Sequence, residues 1–565
     1  MLKIITQRQV KAGPLLAAMV LLALLMTWPT LNMGLWLDEL CSVNDVAYSS
    51  ASDVIAHMWG RMDDLHPPLS YIPLFACIKL FGLSDLVVRT PPLIFGLLMI
   101  PTVYWLGKIT HSSRVGLIAA YFATVSPFAN YFDCQSRGYS MAAWFTALCL
   151  ISFIKLVDTT RTNYVKPFIG VVLCTSALCY TEYISVFILP SLGLATIWIC
   201  LTMLKEPSKK ILARTTFIRC LAALTIGFLL FVPWIPSMLI QSGNMNDLKE
   251  LAPRTYWPLI FSFNLMMMFP IPLIITIPLF CLGLVVVAGI LIKRKKLVGL
   301  SSDFTKVPPA YAVLLCAVAL PSSLIGFLTP WFVGYFRYIY PYTAAGWVLL
   351  AVLLYKSLPY APATLSLDGT QAADDTNQQN NRKANLMLAT ILSAILGLNV
   401  LYIAWFDSRP QSGLRAVARD AQNGKYDNSL ILIVPDVIGP TLGYYLAPTE
   451  RTAHNIKIAG YPRWSDPFTP VAISDLKKQW GPEIVAQAAA EMDKLSSQGF
   501  KYLVIAKDSD KQIENLSTAT VPRMTRVKAL MATVNKKYKK VTETEYPGIT
   551  ENVTVSTYEL QQQQK

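Results

Sequence analysis

The chain has 565 residues, 54% of them hydrophobic and only 15% charged, against roughly 25% charged in soluble domains. Its apolar stretches are more than one globular core can bury, which excludes a purely soluble protein, a disordered chain, a collagen and a disulfide scaffold. The formal charge of +15 would suggest nucleic acid for a soluble protein; in a membrane protein the position of each charge matters more than the sum, and nucleic acid is not an expected partner.

Lys3, Arg8 and Lys11 precede an apolar run that continues to Leu31. No small-x-small cleavage site follows, so the run reads as a retained first span rather than a signal peptide. Eleven spans are expected, at 14–32, 86–107, 115–131, 138–157, 167–181, 183–204, 219–240, 270–292, 309–329, 338–356 and 385–406. With this assignment the loops on the side of the N-terminus hold 21 Lys and Arg and the opposite loops of the membrane part hold seven. The excess predicts a cytoplasmic N-terminus, and the odd count an external C-terminus. The apolar segment 67–81 is short for a span and would invert every later loop if counted as one, so it is expected as a helix lying at the outer surface.

Residues 361–384 are rich in Asp, Gln and Asn and read as a cytoplasmic polar linker. The last span, 385–406, leads to a soluble composition over 407–565, with apolar runs at 429–435 and 501–507 that read as buried strands around a helical stretch at about 475–497. The expected fold class is therefore mostly α, a polytopic transmembrane helical bundle of about 11 spans over 1–360 and 385–406 with a C-terminal external α/β domain. All ten cysteines lie at or before Cys316 without a C-x-x-C pair, so neither disulfides nor a cysteine metal site is expected.

Asp38 and Glu39 adjoin the outer end of the first span, and a helix continuing there puts Asp38, Ser42 and Asp45 on one side. The plainer reading is a helix N-terminus that attracts acidic residues. Asp64 and His66, just before Pro67 and Pro68, add a second carboxylate and an imidazole at the same leaflet, enough for an acid/base and anion site. Arg89, Arg137, Arg254 and Arg337 are outer arginines against the positive-inside bias, and a guanidinium fork suits phosphate; the alternative for each is a lipid phosphate or snorkelling. Glu182 and Tyr183 read as a solvated turn between two spans.

Leu35–Glu39 (LWLDE), the Asp64–Leu69 stretch (DLHPPL) with Tyr71, Val88-Arg89-Thr90-Pro91-Pro92 through Gly96, Ser126-Pro127 leading to Gln135-Ser136-Arg137-Gly138-Tyr139, and Arg337-Tyr338 with Pro341 resemble, in this order, the GT-C class of integral membrane glycosyltransferases. That class includes protein O-mannosyltransferases, aminoarabinose transferases and lipopolysaccharide-core galacturonosyltransferases. The resemblance covers about the first 350 residues and implies transfer of a sugar, with inversion, from a polyprenyl-phosphate donor to a lipid, glycan or protein acceptor at the outer face. It implies Asp38 as general base, Glu39 orienting Asp38 or the acceptor, and Asp64 holding His66 or a sugar hydroxyl. His66, Arg89, Arg137 and Arg337 are implied around the donor phosphate, with Tyr139 and Tyr338 beside the substrate. Relatives often carry Glu where Ser136 stands and a Leu-rich end where Tyr338-Ile339-Tyr340 stands. Some members use a divalent metal and others none, so a metal is left open. The bacterial inner membrane, with the C-terminal domain periplasmic, is the expected location. A multi-span transporter or flippase of lipid-linked glycans is the alternative; it predicts polar sites at the bilayer midplane and pseudo-symmetric halves, whereas here the polar residues gather at outer span ends.

Overall fold

The computed structural model describes residues 12–60, 66–243, 307–328, 336–358, 371–407, 409–461, 467–468, 490, 494, 497–508 and 520–560. Asp64, Arg254, the expected span 270–292 and most of the helical stretch 475–497 lie outside these residues.

Among the described residues seven segments are helical, long and apolar enough to cross a membrane: Ala12–Leu31, Asp85–Thr110, Tyr139–Val157, Tyr183–Leu204, Pro207–Ser242, Arg337–Ser357 and Gln379–Phe406. Four shorter apolar helices accompany them, Pro68–Phe81, Ser113–Val125, Val165–Thr181 and Pro309–Ile325. Apart from 270–292, each expected span falls on one of these helices. The chain is an integral membrane protein, mostly α-helical, with a small C-terminal sheet.

In chain order the elements that build the site are α1 (Ala12–Leu31), α2 (Leu37–Asp45), α3 (Ala51–Met58), α4 (Tyr71–Phe81), α5 (Asp85–Thr110), α6 (Ser113–Val125), α7 (Pro127–Phe132), α8 (Tyr139–Val157) and α9 (Val165–Thr181). The break between α6 and α7 falls at Ser126-Pro127, where the Ser126 hydroxyl caps α7 and Pro127 occupies its first turn. Gly107 of α5 and Gly116 of α6 let these two helices touch backbone to backbone: a Cβ on Gly107 would stand 2.8 Å from the Gly116 Cα. Small residues serve this role in lipid, where no hydrophobic effect drives helices together. The membrane core gathers Phe132, Tyr139, Tyr340, Tyr342 and Trp347, all buried.

The helix carrying the last span runs from Gln371 to Asp407, so the segment expected as a linker is helical from Gln371 onward. Its polar composition argues against an independent core, but a polar sequence with helix-compatible residues can extend a helix already nucleated by an apolar span. Beyond it lies a five-stranded sheet of order β2-β1-β3-β5-β4, with β1 (Ser429–Val434), β2 (Lys457–Gly460), β3 (Tyr502–Asp508), β4 (Lys539–Tyr546) and β5 (Val553–Glu559). β1 pairs in parallel with β2 and β3, and β5 runs antiparallel to β3 and β4. Every residue of β1 is buried because both faces are covered. Leu430 and Leu432 pack with Leu530 and Val534, while Ile431 and Ile433 pack with Leu414, Val417 and Leu442.

Candidate active site

The turn from α1 into α2 is held by the C-terminal domain. The Gln411 N–H donates to the Met33 carbonyl at 2.9 Å, an Arg415 guanidinium N–H to the Asn32 carbonyl at 2.5 Å, and the Leu35 N–H to the Tyr445 hydroxyl at 2.5 Å. Gly34 has φ +82°, and a Cβ there would meet Arg415 Cδ at 2.9 Å, so both conformation and space call for glycine. The N-terminus of α2 has no cap from its own preceding residue. Glu551, more than five hundred residues away, supplies it by accepting the Leu37 N–H at 2.8 Å, and Thr441 donates to the same carboxylate oxygen at 3.3 Å. A carboxylate there satisfies an orphan donor and complements the helix dipole.

Within α2 the two adjacent carboxylates part company. Glu39 is wholly buried and meets Arg89 of α5 through two contacts, Nε to Oε1 at 3.0 Å and an NH2 nitrogen to Oε2 at 2.7 Å. Arg89 also donates to the carbonyls of Thr30, Leu31 and Gly34. These five bonds use all five guanidinium donors. Glu39 in addition accepts the Ser136 N–H at 3.1 Å. The pair therefore ties α1, α2, α5 and the loop before α8 together. Arg89 has no donor left for a phosphate, unlike the role the resemblance implied for it, and Glu39, turned into the protein, is placed to orient Asp38 rather than an acceptor.

Asp38 is partly exposed, with 22% of its side chain open, and faces two arginines. Arg337, in the 3-10 turn Phe336–Tyr342, donates to Asp38 Oδ2 at 2.7 Å. An Arg137 nitrogen stands 3.8 Å from the same oxygen. Arg137 also donates to the Ser42 hydroxyl at 3.0 Å and reaches Tyr71 OH at 3.4 Å. The Arg337 guanidinium lies 5.9 Å from the ring centre of buried Tyr139 and 5.6 Å from that of Tyr338. Four of the residues singled out in the sequence (Asp38, Arg137, Arg337 and Tyr139) thus converge from segments up to 299 residues apart.

His66 Nδ1 lies 3.3 Å from Glu182 Oε2. Glu182 is buried, not a solvated turn residue, with His66 packed against its carboxylate. Asp45, expected on the Asp38 side of α2, instead faces His57 at 3.6 Å. A narrow cleft of about 410 Å³, its open mouth included, has Ser42, His66 and Arg137 at its polar part and Leu74, Pro91, Pro92, Phe95 and Met141 along its apolar part.

Burial pushes the Glu551 carboxyl up to about 7, helped by the charge of Asp508 and opposed by the Leu37 and Thr441 hydrogen bonds. A folded-state value raised above the unfolded one stabilises the fold fully below about 4.5 and loses that contribution as pH rises through about 7. Thermal unfolding followed between pH 4.5 and 8 should show stability falling by roughly 3 kcal/mol from this group. Glu551→Gln should flatten that slope.

Among the described residues no three His, Cys, Asp or Glu side chains come together as a metal site. The nine described cysteines form no disulfide with one another.

No family model and no curated protein sequence matches the chain. Solved structures do. The apo structure of ArnT from Cupriavidus metallidurans aligns with TM-score 0.53 and 14% identity over 96% of this chain and 98% of that one. The same protein bound to undecaprenyl phosphate aligns with TM-score 0.51 and 14% identity over 96% and 97%. The chain has the GT-C fold. The GT-C likeness spans both chains nearly end to end, so it includes the C-terminal domain that grips the α1–α2 turn. The sequence gives no sign of Glu551, and Glu182 reads there as a solvated turn residue. Glu551 sits in no motif and acts through a contact with no sequence signal, whereas an acidic residue at the end of an apolar run was the available hint for Glu182.

Proposed function

We propose that this protein is an integral membrane glycosyltransferase, moving a sugar from a polyprenyl-phosphate donor to a hydroxyl of a lipid, glycan or protein acceptor at the outer face, with inversion. The observation that carries this reading is the meeting of Asp38, Arg137 and Arg337 beside a cleft that is cationic at one part and apolar along another. A phosphate on a long prenyl chain has that chemistry. ArnT, with the same fold, binds undecaprenyl phosphate, which supports the donor class. The N-terminus would be cytoplasmic and the sheet domain periplasmic in a bacterial inner membrane.

In this mechanism the acceptor oxygen attacks the anomeric carbon from the face opposite the phosphate. The bond from that carbon to the phosphate oxygen breaks, and its electron pair leaves with the polyprenyl phosphate. Asp38 takes the acceptor proton. Its placement matters more than its strength, because the hydroxyl becomes acidic only as the new bond forms. Arg137 and Arg337 stabilise charge on the departing phosphate, and His66, held by Glu182, adds a donor. Tyr139 and Tyr338 flank Arg337 and limit its motion. Glu39 and Arg89 keep the turn that presents Asp38.

The test is sugar release by the purified protein from a panel of radiolabelled polyprenyl-phosphate sugars, with membrane extract as acceptor source and the product's anomeric configuration read by NMR. Turnover with inversion supports the assignment. If no donor binds and none turns over, the enzyme reading falls and flipping of lipid-linked glycans is assayed instead. Arg137→Ala should raise the donor KM about tenfold or more, the worth of one charge-assisted hydrogen bond, with a smaller effect on the acceptor KM.

A further inference from the structure

A second and wider cleft lies outside the site above. It measures about 1060 Å³ with its open mouth and is lined by Asn32 and Met33, by Arg409 and Pro410, and by Arg415, Ala416, Ala418, Arg419 and Gln422 of helix α10 (Leu414–Gln422 in the C-terminal domain), with Tyr445. Its walls are therefore the outer end of α1, the outer end of the helix Gln371–Asp407, and the first helix of the C-terminal domain.

Two features place it at head-group level. Trp28 on α1 and Trp405 on the long helix are both more than half exposed, each within about one turn of the cleft, and tryptophans of this kind mark membrane–water interfaces. The Arg409 guanidinium stacks on Trp405 at 4.2 Å, which holds the cation at the depth of that ring.

The cleft is also strongly cationic. Arg415 gives one N–H to the Asn32 carbonyl and lies 5.5 Å from the Tyr445 ring, while Arg409 and Arg419 are exposed. Nearby carboxylates are engaged elsewhere: Glu450 accepts from Gln422 and Ala447, Asp420 from Lys425 and Tyr546, and Asp85 from Tyr444 and Tyr445. Among the described residues none of them pairs with the three arginines. Three guanidiniums gathered in one cleft at head-group level are the donor set for a phosphate.

We infer that this cleft binds the phosphodiester head group of an anionic membrane lipid, with Arg409, Arg415 and Arg419 on the phosphate and the acyl chains against the outer ends of α1 and the long helix. The bound lipid braces Asn32 and Met33, which lead into the turn before Asp38, so the lipid stiffens the support of the site. The site stands independently of the transferase reading, and its test reads binding rather than turnover.

The full-length protein in mild detergent is exposed to phosphatidylglycerol, phosphatidylcholine or inorganic phosphate and examined by native mass spectrometry. Wild type should retain phosphatidylglycerol about tenfold better than phosphatidylcholine. The double variant Arg409→Glu/Arg419→Glu should lose that preference with its unfolding midpoint unchanged, both side chains being exposed, and Arg419→Gln alone should lose part of it. A double variant that keeps the preference overturns the inference. Displacement of phosphatidylglycerol by millimolar inorganic phosphate also overturns it, since the cleft would then be a site for a small anion.

Discussion

Asp38→Asn is expected to lower turnover by about 100- to 10,000-fold, the usual contribution of a positioned general base, while the donor still binds. The change is nearly isosteric and leaves α2 intact, because the cap from Glu551 and the Glu39–Arg89 pair do not involve the Asp38 side chain. Donor affinity should hold or rise. Asp38 Oδ2 draws on Arg337 at 2.7 Å and on Arg137 at 3.8 Å, and removing its charge leaves both guanidiniums with more capacity for a phosphate. Single-turnover assays beside equilibrium binding of a radiolabelled donor separate the two effects. Turnover within a few-fold of wild type would remove Asp38 from the base role.

Arg89→Ala should be the most destabilising single change around the site, by about 3–5 kcal/mol. It strands the Glu39 carboxylate at zero exposure and leaves the carbonyls of Thr30, Leu31 and Gly34 without their shared donor. Lysine is no substitute, since one ammonium cannot reach acceptors spread around a planar fork. A lowered unfolding midpoint together with collapsed turnover fits this positioning role. Unchanged stability with a raised donor KM would instead return Arg89 to the phosphate site.

Much of the fold was readable in the chain because membrane insertion imposes local rules. Runs of apolar residues long enough for the bilayer mark helices such as Ala12–Leu31 and Tyr139–Val157 within a few residues. The runs at 429–435 and 501–507 are continuously apolar at 430–434 and 503–506 because β1 and β3 lie inside a covered sheet. Ser126-Pro127 and Pro67-Pro68 marked places where the chain turns into a new helix. Composition reports whether a stretch such as 371–384 can bury a core of its own, and it is silent on a helix that extends from a neighbouring span and needs no such core.

The candidate site was legible as a set of residue types and illegible as an arrangement. Asp38, His66, Arg137 and Arg337 are polar residues at outer span ends, costly enough there to need a reason, and the chain alone points to them. Asp38 and Glu39 are neighbours with the same chemistry, and nothing local says that one stays partly exposed beside Arg137 and Arg337 and the other is sealed against Arg89. Likewise four outer arginines look alike until packing shows that Arg89 spends all five donors on the protein. Glu551 had no signal at all, its role being a hydrogen bond to a helix terminus 514 residues earlier.

By itself, then, the sequence determined the membrane character, the placement of most helices and the pool of polar residues from which a site could be drawn, because these follow from transfer free energies and periodicities that act over a few turns. Tertiary structure decided which carboxylate stays partly exposed beside two arginines, which arginine is structural, and that the C-terminal domain holds the turn before Asp38. Those outcomes depend on burial and hydrogen-bond saturation, which exist only once distant segments are packed together.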